Sequence, residues 1–171
     1  MLTFLEALIL GIIQGIAEWL PVSSEGMTSL VMINFFGKSF AEALPISIWL
    51  HVGTMLAAVV FLRKDIIGIL KHLPRYVTDL SSKTPVNRTT TFLVVSTVLT
   101  GIVGFPLILF AVGFTDFSGK AATAFIGAFL VFTGFLQMKA AGKGRKSRGV
   151  GITDALITGA AQGLSALPGI S

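Results

Sequence analysis

Three stretches of this chain, Ala43 to Leu62, Thr91 to Val112 and Ala121 to Met138, contain no formal charge. A helix needs about 20 predominantly apolar residues to cross the hydrocarbon core of a bilayer, and each stretch meets that length. The whole composition leans the same way. The chain is 53% hydrophobic and 12% charged, whereas a soluble domain carries about 25% charged residues. The expected fold class is an all-α, multi-pass integral membrane protein with transmembrane helices at 43–62, 91–112 and 121–138. His51 is the one ionisable side chain in those helices.

The two ends of the chain are different. Leu2 to Leu20 and Ile152 to Ser171 are apolar but broken by polar residues, glycine and proline, so they are poor spans. The first segment lacks the basic leader and small-residue cleavage site of a signal peptide. With no cysteine in the chain, disulfides, thiolate catalysis and zinc–thiolate sites are excluded, and any metal must sit on oxygen or histidine.

The net charge of +5 comes from basic residues gathered in two loops: Arg63, Lys64, Lys71, Arg75, Lys83 and Arg88, then Lys139, Lys143, Arg145, Lys146 and Arg148. Two spans separate the loops, so both fall on one side, and loops rich in Lys and Arg stay cytoplasmic. The expected location is the cytoplasmic (plasma) membrane. The loops either fix orientation or also contact anionic lipid; no nucleic-acid partner is expected. The Asn87-Arg-Thr sequon lies on the cytoplasmic side and is read as chance.

An internal duplication organises the rest. "EALILGIIQG" from Glu6 returns as "DALITGAAQG" from Asp154, and, after a one-residue slip, "LPVSS" from Leu20 returns as "LPGIS" from Leu167. If each copy dips into the bilayer and returns, the three intervening spans bring the copies in from opposite faces. The expected architecture is one membrane domain over residues 1–171, with a re-entrant hairpin at 1–36, three spans, and the first half of an inverted second copy at 151–171. Broken helices that meet near the midplane are a recurrent way to build a polar site in lipid. Gly11 with Gly15, and Gly159 with Gly163, are read as helix-packing residues.

The first copy carries the chemistry. Gln14 and Glu18 are four residues apart and share a helix face. A carboxylate at membrane depth costs about 2.5–3.5 kcal/mol on insertion scales and faces a cavity or a partner, so the pair is either structural glue between helices or part of a site. Pro21 is expected to end this helix, and Ser23 and Ser24 to cap a new one from about Glu25 to Phe36. A helix N-terminus is also a phosphate site. Glu18 and Glu25 would repel a phosphate there unless a divalent cation intervened, so a metal-dependent phosphate site holding Mg²⁺ or Ca²⁺ is expected.

"QGIAEWLPVSSEG" resembles the first signature of the undecaprenyl-diphosphate phosphatase family, a Glu/Gln-x-x-x-Glu motif followed by a Pro-Val/Ile-Ser-Ser turn. "GAAQGLSALPGIS" is similar to the opening of the second, Pro-Gly-x-Ser-Arg-Ser. The resemblance implies an intramembrane hydrolase that removes the terminal phosphate of a C55-type polyprenyl diphosphate. It implies that Ser23 and Ser24 contact phosphate and that Ser171 is the serine of the second signature. With Glu25, a departure from the family, added as a candidate base, the candidate catalytic residues are Glu18, Glu25 and Ser24, and the candidate substrate contacts are Gln14, Ser23, Ser24, Gly26 and Ser171. Gln14 and Glu18 would be the metal-binding or water-positioning pair. The partners implied are the polyprenyl lipid and the membrane, with homodimerisation left open.

The sequence departs from the family pattern in three places. Met27 stands where the family has a histidine, and a thioether takes no proton near neutral pH. Glu25 replaces a small residue, commonly Thr, and is a candidate for the missing base; His51 is either a substitute base or a hydrogen-bonded residue of the bundle interior. The family arginine would follow Ser171, so the sequence reading expects a continuation, and little phosphatase activity from these 171 residues alone. Two competing functions use the same features: a non-enzymatic polyprenyl-phosphate transporter or flippase, and an ion-coupled transporter for a small anion.

Overall fold

The computed structural model describes residues 2–79, 84–113, 118–140 and 151–170. Seven helices appear among the described residues: α1 (Phe4–Ala17), α2 (Ser24–Phe35), α3 (Phe40–Phe61), α4 (Arg63–Thr78), α5 (Pro85–Gly113), α6 (Gly119–Ala140) and α7 (Ile152–Leu164). The starts follow local chemistry. Thr3 and Glu6 form a capping box on α1, Ser39 and Glu42 form one on α3, and proline opens α5, where its missing N–H costs nothing.

The helices α3, α5 and α6 are long and apolar enough to cross a membrane. Most of their large side chains, among them Trp49, Val60, Val98, Ile102, Phe105 and Val131, point outward, as they must where lipid is the solvent. At 1.5 Å per residue, the 14 residues of α1 and 13 of α7 fall well short of a hydrocarbon core of about 30 Å. Neither is long enough on its own to cross it.

Two features differ from the sequence reading. The first basic segment is not a loop over its whole length. Arg63–Thr78 forms α4, because Ile67, Leu70, Leu73 and Val77 recur at helical spacing and make a stripe beside Lys64, Lys71 and Arg75. And α1 ends at Ala17, ahead of Pro21. Its last turn tightens into i→i−3 bonds from the Trp19 and Leu20 amides to the carbonyls of Ile16 and Ala17, the usual way a helix end satisfies its carbonyls.

The first copy packs against α3, with α2 also touching α6, while α7 lies along α5. A core of Phe40, Leu44, Ala111, Ala122 and Ile126 joins α3, α5 and α6, and a second one of Leu10, Met32 and Ala43 joins α1, α2 and α3. Polar side chains tie the helices together in places where lipid offers no hydrophobic gain. Ser29 pairs with Ser47 at 3.1 Å, Asn34 donates to Thr123, and the Thr100 hydroxyl donates to the Gly159 carbonyl.

The two glycine pairs are not equivalent. A Cβ on Gly159 would stand 2.6 Å from the Ser96 carbonyl oxygen, and one on Gly163 would stand 2.6 Å from Val103 Cβ, whereas Gly11 and Gly15 have nothing within 4 Å. Only the second pair lets two backbones approach. Gly159→Ala is expected to destabilise by about 1–3 kcal/mol through overpacking. Gly11→Ala should be neutral or stabilising, because alanine is the better helix former by about 1 kcal/mol. Thermal unfolding of the two variants in detergent checks this; equal midpoints would contradict the α5–α7 contact.

Candidate functional site

The two breaks meet. Ser23 is the N-cap of α2, and its Oγ accepts the Gly26 N–H at 3.1 Å, which satisfies one of the donors a helix start leaves open. The same oxygen accepts the Gly169 N–H from the second copy at 3.0 Å. The Gly169 carbonyl in turn accepts from Thr133 Oγ1 of α6 at 3.0 Å. Gly169 has φ +103°, and a Cβ there would stand 2.7 Å from the Ile126 carbonyl oxygen, so only glycine fits. Gly26 is equally constrained, since its Cβ would lie 2.9 Å from the Gly169 nitrogen.

Beside this junction lies a cavity of about 240 Å³ lined by Glu18, Val22, Ser23, Ser24, Glu25, His51, Gln162, Ser165 and Ile170. Glu18 is its centre. Oε2 accepts from Gln14 Nε2 at 2.9 Å and from Ser24 Oγ at 2.7 Å, and His51 Nε2 lies 3.5 Å away. His51 Nε2 is also 3.4 Å from Ser24 Oγ, and its Nδ1 is 2.8 Å from the Ser47 carbonyl. A carbonyl only accepts, so Nδ1 carries a proton.

Glu25 is nearly buried, and its Oε1 makes no hydrogen bond. A second cavity of about 370 Å³ shares Glu25, His51, Gln162 and Ser165 with the first and continues past Ile48, Gly104, Phe105 and Ile108. Polar and apolar compartments thus adjoin between α3 and α5.

The residues singled out in the sequence map onto this arrangement unevenly. Glu18, Ser23, Ser24 and Glu25 line the polar cavity. Gln14 is 1% exposed and sits behind Glu18, with its own Oε1 unpartnered. Gly26 belongs to the junction of the two copies rather than to the cavity wall. Ser171 lies outside the described residues, as do Lys83 and the basic residues from Lys143 to Arg148. His51 was legible only as the lone ionisable side chain in a span. Its place beside Glu18 and Ser24 depends on how α3 packs against the first copy, which no local pattern encodes. Gln162 was visible as the repeat partner of Gln14, but its role in lining both cavities was not.

Long apolar helices, with two short helices whose polar ends meet among them, define a polytopic membrane protein with a polar site at that meeting point. The chain belongs to the family described as Bacitracin resistance protein BacA, which matches residues 7–171. It is 54% identical over 171 residues to an undecaprenyl-diphosphatase of Methanococcoides burtonii, an alignment covering all of this chain and 64% of that protein. It is 41% identical over 168 residues to an undecaprenyl-diphosphatase of Methanothrix thermoacetophila, covering 98% of this chain and 60% of the relative. The chain therefore spans less than two thirds of the length of these curated relatives. No solved structure matches it.

Ser23→Ala removes the acceptor shared by two buried amides. Leaving buried donors unpaired costs about 1–3 kcal/mol each, so the variant is expected to lose stability in detergent and to exchange the Gly26 and Gly169 amide hydrogens faster. Unchanged protection of the Gly169 amide would show that the two copies are not joined there.

Proposed function

We propose that the protein hydrolyses a long-chain polyprenyl diphosphate of the undecaprenyl type to the monophosphate and inorganic phosphate, so returning a lipid carrier to use in the plasma membrane. The observation that carries this reading is the adjoining pair of cavities. One is walled by Glu18, Ser24, Glu25, His51, Gln162 and Ser165, and the other runs along apolar residues of α3 and α5. An amphiphile with a small polar head and a prenyl tail matches that division. The names borne by the similar proteins agree with it.

A diphosphate brings several negative charges, yet no Lys or Arg stands among the described residues lining either cavity. Two carboxyls do. A hard cation resolves this, and the donor set suits one: Glu18 offers an oxygen at the cavity wall, and Ser24, Gln162 and Ser165 add neutral oxygens. Among the described residues no three His, Cys, Asp or Glu side chains group as metal ligands. The cation would therefore be Mg²⁺ or Ca²⁺ held by Glu18 and completed by substrate and water oxygens, as is common for Mg²⁺ at phosphate sites. When bound it would neutralise charge on the phosphates.

The protein's own residues supply orientation. Gln14 and Ser24 both donate to Glu18 Oε2, which fixes the carboxylate and leaves Oε1 as its freer oxygen. Ser24 and Glu25, at the first turn of α2, set the head group against a helix N-terminus whose partial positive charge favours phosphate.

The test is phosphate release from undecaprenyl diphosphate by protein expressed from its complete reading frame and reconstituted in vesicles. Release should require Mg²⁺ or Ca²⁺ and stop with chelator. Glu18→Gln should lower it by at least about 10²-fold with expression and folding intact, and Gln14→Ala by about 10–100-fold, the usual cost of losing a group that orients a ligand. Protein-dependent transbilayer movement of the lipid without any phosphate release would replace the hydrolase by a carrier.

A further inference from the structure

The sequence left the first basic segment open between a marker of orientation and a surface for anionic lipid, and α4 gives that segment a shape. We infer that α4 lies in the membrane interface where α3 ends and binds anionic lipid there. Ile67, Leu70, Pro74 and Val77 sit among the acyl chains, and Lys64, Lys71 and Arg75 meet the head groups. The inference does not rest on the hydrolase reading, since α4 lines neither of the cavities beside Glu25 and His51.

The rotation of α4 is fixed from its inner side. Tyr76 is buried, and its hydroxyl accepts from Thr91 Oγ1 of α5 at 3.2 Å. His72 is bound to the buried Asn87 of α5, and Ile66 and Ile69 are half-buried on the same flank. At about 100° per residue, the next strip round the helix holds Ile67, Leu70, Pro74 and Val77. That strip has to face outward, and it does: Leu70 is 60% exposed and Val77 67%. Lys64, Lys71 and Arg75 form the row beyond it, on the side away from α5. Asp65, the one acidic residue of α4, lies across the helix from the strip.

Two observations make lipid the occupant of this face. The first is continuity. The spanning helix α3 presents Val59, Val60 and Phe61 outward in its last turn, followed by Leu62, so the surface that meets acyl chains runs directly into α4. Arg63 holds the corner, with its Nη1 donating to the Val60 carbonyl at 2.9 Å. The second is charge. Lys64, Lys71 and Arg75 are exposed, and among the described residues none of them forms an ion pair with a carboxylate. An apolar strip edged by a row of cations is the pattern of a helix lying in the interface. The long basic side chains rest their stems on the apolar layer and carry their charges to the phosphates.

The experiment uses protein expressed from its complete reading frame, with Leu70→Trp placed in the strip and every other tryptophan replaced by phenylalanine. It is reconstituted in vesicles of equal amounts of phosphatidylcholine and phosphatidylglycerol, with brominated chains on one lipid or on the other. Both brominated lipids should quench the tryptophan at position 70. Each basic residue near an anionic surface is worth roughly a fivefold preference, so brominated phosphatidylglycerol should quench at least about twice as strongly as brominated phosphatidylcholine. Added salt should narrow the difference, because exposed charges are screened. The triple variant Lys64→Gln, Lys71→Gln, Arg75→Gln changes exposed residues only. It should bring the two lipids to equality while leaving the quenching itself intact. Ile67→Trp gives the same reading from a second position and guards against a folding defect in the first. Equal quenching by the two lipids before the charges are removed overturns the inference, as does a preference that survives the triple variant. Absence of quenching by either lipid at both positions also overturns it, and assigns the strip to a second copy or another protein.

Discussion

A helix broken inside a bilayer leaves backbone groups that no water can satisfy, and each one costs several kcal/mol if abandoned. This protein meets the constraint with one oxygen. Ser23 Oγ accepts the Gly26 amide of its own helix and the Gly169 amide of the other copy. Thr133 donates to the carbonyl of that same glycine. Each break therefore helps to satisfy the other. Much of the polar wall is built around this pairing, because the segments that carry it also carry Glu18, Ser24 and Ser165, while His51 and Gln162 join from α3 and α7.

The electrostatics follow from the same geometry. Placing carboxyl groups inside a membrane domain is favourable only with partners close by, and Glu18 has three polar neighbours: Gln14, Ser24 and His51. None of them is a permanent cation. The cavity wall thus presents two carboxyl groups and, among the described residues, no basic side chain other than His51.

Legibility in the sequence tracked how local each determinant is. The three charge-free segments read directly as helices because length and hydropathy suffice to specify a lipid-spanning helix. The caps were equally plain, since Ser23 needs only its neighbours in the chain to cap α2. The helix α4 was hidden because its charges dominated the reading of Arg63 to Arg88, although its apolar residues keep helical spacing. The early end of α1 was missed because proline restricts only the residue before it, whereas the i→i−3 turn already forms at the Trp19 and Leu20 amides. Gln14, Glu18, Ser23, Ser24 and Glu25 stood out as polar residues in an apolar segment, while the substrate roles given to the serines came from the family resemblance. His51 and Gln162 could not be joined to them, since 27 residues of chain separate Ser24 from His51 and only tertiary packing closes that gap.

The duplication also shows how a symmetric scaffold acquires an asymmetric site. The copies share Gly, Gln, Leu-Pro and Ser at matching positions, which are the residues that make short helices pack, break and cap. They differ where charge is concerned: the counterpart of Glu18 in the second copy is Ser165 or Ala166, depending on where the one-residue slip falls, and neither is acidic. The packing glycines diverge in the same sense, with Gly159 and Gly163 closed against α5 and Gly11 and Gly15 open. One copy therefore supplies the carboxyls, while the other supplies backbone amide, side-chain amide and hydroxyl groups. The breaks thus come from residues the copies share, whereas the acidic part of the cavity wall comes from Glu18 and Glu25 of the first copy.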